Sequence, residues 1–229
     1  MSTEMPPQRR DSEVIQILAT EHWSLLATRA LTYQESLGRV NMFLTILSGA
    51  VIALALVAQA DHFGTAFITV AIFMLTVVFF VGIATVRRLN MLNRDDFIWV
   101  VGMNRLRHAY LELHPELESS FVTSPHDDLA GALRTMGLEP NAAPTLGTIF
   151  HGFITLPGMI GVIVSAVAAA IVALAAVGFG APMAGVLLSG VAGFAVSLGA
   201  ILSIGYRSFR RYGPAIQSNF PTPSKPPTS

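Results

Sequence analysis

Four apolar stretches without a single Asp, Glu, Lys or Arg, at residues 41–60, 64–86, 156–177 and 183–205, constrain this chain more than any other feature. A helix rising about 1.5 Å per residue needs about 20 apolar residues to cross a hydrocarbon core of about 30 Å. Each stretch meets that length. The sequence therefore predicts an all-α, polytopic membrane protein with four transmembrane helices in two hairpins and a cytoplasmic helical bundle. Composition agrees, since only 12% of the 229 residues are charged, against about 25% in a soluble domain.

All 14 Lys and Arg fall before the first stretch, between the second and third, or after the fourth. The positive-inside rule puts those segments, and with them both termini, in the cytoplasm. The connections at 61–63 and 178–182 carry no Lys or Arg and are expected to be external turns. The first apolar stretch starts only at Asn41 and no small-residue cleavage site follows it, so a cleaved signal peptide is not expected. The chain has no cysteine, which removes disulfides, thiolate metal sites and cysteine nucleophiles. The plasma (inner) membrane of a bacterium is the simplest setting.

Residues 1–10 and 214–229 are rich in Pro, Ser and Thr and are expected to be disordered tails. Residues 11–113 read as cytoplasmic helix, two spans and cytoplasmic helix. Before the first span Trp23, Leu26, Ala30, Tyr33, Leu37 and Val40 recur at alternating steps of three and four. After the second span Leu89, Leu92, Asp96, Trp99, Met103, Leu106, Tyr110 and Leu113 do the same. Each is one helical stripe, and the short turn makes the two helices antiparallel neighbours whose stripes are available to each other. Folding that hairpin about His62 sets Asp96 opposite Thr28 and Arg29. A carboxylate in an apolar seam is costly unless paired. Either an Arg29–Asp96 ion pair forms or Asp96 lies at the wet edge of the seam.

His114-Pro115 should end the second cytoplasmic helix. A connector over 114–147 follows, with a short helix at 125–137 that starts with Ser124 as N-cap, Pro125 in the first turn and acids behind it. The second hairpin, within 148–213, is dominated by small residues: Ser165, Ala169 and Ala173 in the third span, and Ala181, Gly185, Ser189, Gly193 and Ser197 in the fourth. Small residues four apart let backbones approach closely, so Gly185, Ser189, Gly193 and Ser197 are candidate packing positions and span four is expected to be buried against another helix. The partner could be span three, the first hairpin or another subunit.

Inside the apolar stretches the polar groups are hydroxyls and one amide. Thr45, Ser48 and Gln59 on span one, and Thr65, Thr69 and Thr76 on span two, form lines that are candidate pore linings. Such lines equally serve as interhelical hydrogen bonds or as hydroxyls bonded to their own backbone. The run His126-Asp127-Asp128 contains ligand-type side chains, but neighbours on a helix diverge and capping accounts for it better than a metal. His108 and His114, six apart, share no helix face and read as surface residues, and His151 reads as an interfacial imidazole. Arg87, Arg88 and Arg94, with Arg207, Arg210 and Arg211, set topology; basic residues of this kind also attract anionic lipid headgroups at about 1 kcal/mol each. No phosphate-binding glycine loop, HExxH or nucleophile elbow is present, so neither an enzyme, a cofactor nor a nucleic-acid partner is expected.

The segment Leu26-Ala27-Thr28-Arg29-Ala30-Leu31-Thr32-Tyr33, followed by Leu47-Ser48-Gly49-Ala50 and by a helix beyond the second span, resembles the SLATT superfamily. Those proteins are a helix, two spans and a further helix, and the resemblance implies a pore-forming effector of bacterial conflict systems. It covers residues 14–113, and the second hairpin lies beyond that layout. The segment from Met103 to Tyr110 is also similar to one in uncharacterised bacterial four-span membrane proteins. The function expected is thus an oligomeric ion channel or pore-forming effector, or alternatively a non-conducting scaffold that recruits a cytoplasmic partner through its helical bundle.

Overall fold

The computed structural model describes residues 7–138, 155–210 and 217–223. Among the described residues five α-helices run in order: α1 Pro7–Asp61, α2 Thr65–Leu113, α3 Leu129–Thr135, α4 Leu156–Gly178 and α5 Met183–Arg210, with a 3-10 turn at Pro115–Ser120 after α2. Four of them, α1, α2, α4 and α5, are long and apolar enough to cross a membrane. The connector beyond Leu138, the beginning of the second-hairpin segment at 148–154 and His151 lie outside the described residues.

The chain divides into two compact units. The first comprises Met1–Tyr33, Asn93–Ala143 and Arg210–Ser229, and the second Gln34–Leu92 and Pro144–Phe209, so α1 and α2 contribute residues to both.

In the second unit the hairpin between α1 and α2 turns on two residues in the left-handed region, His62 (φ 48°) and Phe63 (φ 60°). The turn is held by Asp61, whose carbonyl accepts from Gly64 N–H at 2.9 Å and whose carboxylate accepts from Phe67 N–H at 2.7 Å. That carboxylate caps the N-terminus of α2, where free N–H groups favour an anion. The core of this unit is filled by Phe43, Leu75, Val78, Leu89, Ile160, Val164 and Ile201, with Phe43 and Val164 fully buried. Gly82 makes this possible, because a Cβ there would overlap Val164 and the Phe43 ring.

The second hairpin closes through α5 against α4. A Cβ on Gly190 would meet Ala173 at 3.5 Å, and one on Gly193 would stand 3.1 Å from a Val172 methyl. Ser197 lies 3.4 Å from Ser165, hydroxyl to hydroxyl. Gly185, by contrast, faces its own first turn at Ala181 and Pro182, and Ser189 donates to the Val186 carbonyl within α5. Within the single chain span four is little buried, only 6% of its apolar window, the smallest share of the four. One narrow edge of small residues packs on α4, while Leu187, Leu188, Val191 and Val196 remain exposed.

Three expectations are corrected. Helix α1 already begins at Pro7, inside the segment expected to be a tail. The short helix starts at Leu129 with Asp128, not Ser124, as its N-cap, its carboxylate accepting from Gly131 N–H at 2.8 Å. Ser124 Oγ instead accepts from His126 N–H in a local turn, and the His126 carbonyl is taken by Asn104, so the chain cannot be helical there. Residues 217–223, expected to be part of a disordered tail, are fixed on the first unit by side chains described below.

Because Gly193 sits on the packed edge, Gly193→Leu should force α4 and α5 apart. Overpacking of this kind costs about 1–3 kcal/mol. Thermal unfolding in detergent, followed by size-exclusion of the heated protein, should show a fall of several degrees for this variant. Gly199→Leu, where nothing lies within 4 Å, should leave the midpoint unchanged.

Candidate functional site

The polar chemistry of the described residues is concentrated in the first unit, where α2 carries Asp96, Asn104, Arg105 and Arg107 on neighbouring turns. Arg29 of α1 grips Asp96 with both ends of its guanidinium, Nε donating to Oδ1 at 2.6 Å and a terminal nitrogen to Oδ2 at 3.2 Å. The bidentate geometry satisfies the carboxylate inside the helix pair. The hairpin argument thus places the right two residues together, though not through the expected seam. The stripe on α2 does face inward, with Leu89, Leu92 and Met103 buried. The stripe on α1 does not: Trp23 and Tyr33 are 71% and 64% exposed. It is the neighbouring face, Leu18, His22, Leu25, Arg29 and Thr32, that is drawn inward.

Asn104 is wholly buried and joins three partners. Its amide donates to the His126 carbonyl at 2.7 Å, and its oxygen accepts from Arg107 at 2.7 Å and from the Thr135 hydroxyl at 3.0 Å. One side chain therefore ties α2 to both ends of the loop and helix at 126–135. Asp127 is also without exposed surface. Its carboxylate accepts from Arg105 Nε at 2.7 Å, from the Ser218 hydroxyl at 2.7 Å, and from the backbone N–H of Asn219 and Phe220 at 2.9 and 2.7 Å. Burial alone would push its pKa up, but these four donors outweigh burial and hold it far below the usual carboxylate range. Asp128 accepts from Thr222 N–H and hydroxyl, Arg105 also donates to the Gln217 carbonyl, and the Phe220 ring stacks on His108 at 3.8 Å. His108 is thus a packed residue rather than a surface one.

Other buried groups are less well matched: the Trp99 Nε1 and His126 Nδ1 meet no hydrogen-bonding partner. Arg107 is only 8% exposed, and burial followed by the nearby Arg29 lowers its pKa. His22 carries a buried Nδ1 that meets no hydrogen-bonding partner; burial first, and the charge of Arg107 second, push its pKa down. Among the described residues no three His, Asp or Glu side chains converge on a metal position.

Of the candidate pore residues, Thr45, Ser48, Gln59, Thr65 and Thr69 are exposed on the second unit and Thr76 is half-buried. Thr45, Thr69 and Thr76 spend their hydroxyls on the carbonyls of Asn41, Thr65 and Ile72, four residues back, at 2.9, 2.9 and 2.6 Å. Ser48, Gln59 and Thr65 are exposed. Of the basic cluster, Arg88 is engaged with Glu35 in a bidentate pair at 2.8 Å, whereas Arg87 and Arg207 are exposed and Arg211 lies outside the described residues.

Asn104, Arg105, Arg107, Asp127 and His22 were not singled out by the sequence as a joined set. The available signal was weak: polar residues flanking a stripe look like a solvated edge, and Asp127 looks like a first-turn acid. Their partners lie as far as 112 residues away in sequence.

The fold and its buried polar network define an all-helical, polytopic membrane protein with a separately packed polar unit. No protein-family model, curated protein or solved structure matches the chain.

Asp127→Asn should release residues 217–223, because removing one partner of a buried charged pair costs about 3–5 kcal/mol. Hydrogen exchange should show lost protection at Asn219 and Phe220 while the amides of α4 keep theirs. A pH effect follows from His22. Its folded pKa lies below the ordinary 6.5, so its contribution is fully present above that value and is lost as pH falls through 6.5 toward the folded pKa. Thermal stability of the first unit should drop between pH 7.5 and 5.5, and His22→Leu should flatten that dependence.

Proposed function

We propose that this chain is an oligomeric scaffold of the bacterial inner membrane, with both termini cytoplasmic, that assembles through α1. The observation that carries the reading is the exposed stripe of Trp23, Leu26, Ala30 and Tyr33. Steps of three and four are the spacing with which one helix seats on another, and an exposed apolar line of this kind marks an interaction face. A second copy of the same helix is the simplest occupant, because a two-fold axis makes the stripe complementary to itself. The dense packing around Phe43 and Val164 supports a non-conducting role for the single chain. The basic segments flanking the apolar helices support the orientation.

A pore formed between copies is the second reading, and the outward placement of Ser48, Gln59 and Thr65 favours it. The layout resembling the SLATT superfamily points the same way. In that reading anionic lipids around Arg87 and Arg207 would border the assembly.

Ala30→Glu puts a charge in the middle of the stripe and should weaken assembly at least tenfold, about 1.4 kcal/mol. Mass photometry of the protein in nanodiscs should show oligomers for the parent and monomers for the variant; monomers for both would end the assembly proposal. Planar-bilayer recording separates the readings. Silence across voltage and pH supports the scaffold, and currents altered by Ser48→Trp or Thr65→Trp support the pore.

A further inference from the structure

The C-terminal segment 217–223 lies on the first unit in the manner of a bound peptide. It is not helical, it bends at Asn219 and Phe220, and exposure alternates along it: Ser218, Phe220 and Thr222 are half-buried, whereas Gln217, Asn219, Pro221 and Pro223 are exposed. A period of two is how an extended ligand presents alternate side chains to a surface. Its main chain is held throughout. Arg105 donates to the Gln217 carbonyl at 2.7 Å, Asp127 N–H donates to the Phe220 carbonyl at 3.2 Å, and the carboxylates of Asp127 and Asp128 accept from the N–H groups of Asn219, Phe220 and Thr222. Pro221, which has no N–H to satisfy, stands between the last two. Side chains add selectivity: the Ser218 and Thr222 hydroxyls donate to Asp127 and Asp128 at 2.7 and 2.8 Å, and the Phe220 ring stacks on His108.

Of the donors to the wholly buried Asp127 carboxylate, only Arg105 belongs to the helices; the Ser218 hydroxyl and the Asn219 and Phe220 N–H groups come from this segment. A carboxylate left short of donors is costly, so the vacated site favours a chain that returns a hydroxyl followed by two consecutive N–H groups. No residue of 217–223 is fully buried, so the segment can be exchanged without opening the core of the unit. We infer that Arg105, His108, Asp127 and Asp128 form a peptide-recognition site for the sequence class Ser-x-Phe-Pro-Thr, and that the same segment of a second copy takes the place of the cis one. Every copy carries both the site and the matching peptide, so an exchange between copies reproduces each bond, the condition for domain swapping. The exchange rests on the assembly proposed above, which brings copies together in one membrane; recognition of the segment does not.

A tethered segment competes at an effective concentration in the millimolar range, so a fluorescein-labelled peptide of residues 217–223 should bind the full-length parent in nanodiscs weakly. Phe220→Ala in the full chain weakens the tethered competitor and leaves the site intact; fluorescence anisotropy should show the peptide bound about tenfold more tightly to this variant. Adding His108→Ala should weaken it again. A scrambled peptide should bind neither, so the gain cannot come from a misfolded protein. No saturable binding to Phe220→Ala, or equal binding of the scrambled peptide, overturns the recognition. The exchange is read by cross-linking, because the chain has no cysteine. Glu21 and Gln217 line one cleft of the first unit, and neither side chain takes part in recognition. Differently tagged full-length copies, one with Glu21→Cys and one with Gln217→Cys, are coexpressed and treated with a short bismaleimide. Dimers bearing both tags are expected, and Asp127→Asn in the Glu21→Cys copy should abolish them. Absence of mixed dimers, or dimers that persist with Asp127→Asn, overturns the exchange. Mass photometry of the parent shows separately whether the assembly itself failed.

Discussion

A carboxylate with no exposed surface must be surrounded by donors or it will not ionise, and Asp127 meets that demand with groups drawn from two distant parts of the chain. Arg105 comes from α2, while Ser218, Asn219 and Phe220 come from the C-terminal segment. Because each donor is directional, satisfying Asp127 fixes the position of 217–223, which then brings Phe220 onto His108 and Thr222 onto Asp128. The Asn104 network does the same for the other side of the loop. A buried ion pair contributes little net stability compared with apolar packing. Its contribution here is positional, since the directional bonds to Asp127 and Asn104 tie α2, the 126–135 loop and helix, and residues 217–223 to one another.

The second unit works by a different physics. Lipid offers no hydrophobic drive between helices, so contacts depend on close approach and dispersion. Gly82 admits Val164 and Phe43, and Gly190 and Gly193 admit Ala173 and Val172. The hydroxyls that looked like a polar lining are turned onto their own helices, where Thr45, Thr69 and Thr76 need no partner helix. Back-bonding removes a desolvation cost without creating specificity, which is why such residues can sit on an outer surface.

The apolar helices were legible because an uncharged run of about 20 residues has few alternatives: α4 starts at Leu156 and α5 at Met183, as the runs do. Arg29 and Asp96 were legible because a short turn between two long helices fixes which residues are opposite. The start of α3 was misread for a specific reason. Ser124-Pro125 carries a genuine helix-start pattern, but tertiary bonds to His126 and Asp127 remove those residues from the helix and pass the cap to Asp128. Of the small residues repeated on span four, Gly193 and Ser197 face α4 while Gly185 faces Ala181 and Pro182, since a four-residue repeat does not reveal where two helices diverge.

The choice of face on α1 is the more instructive case. Two stripes compete on this helix, both at steps of three and four: Leu18, His22, Leu25, Arg29 and Thr32 on one side, and Trp23, Leu26, Ala30 and Tyr33 on the other. On apolar area alone the second would win, because burying a large apolar side chain is worth about 1.5–3 kcal/mol. The first carries Arg29, which meets the half-buried Asp96 within the stripe of α2, where an unpaired carboxylate would be costly. One charge on α2 therefore selects the face of α1 that carries Arg29, and the same rotation turns Trp23 and Tyr33 outward. An ion pair inside the helix pair and an apolar stripe outside it are two consequences of one choice, which makes the outer stripe a determined feature of the helix rather than a packing defect.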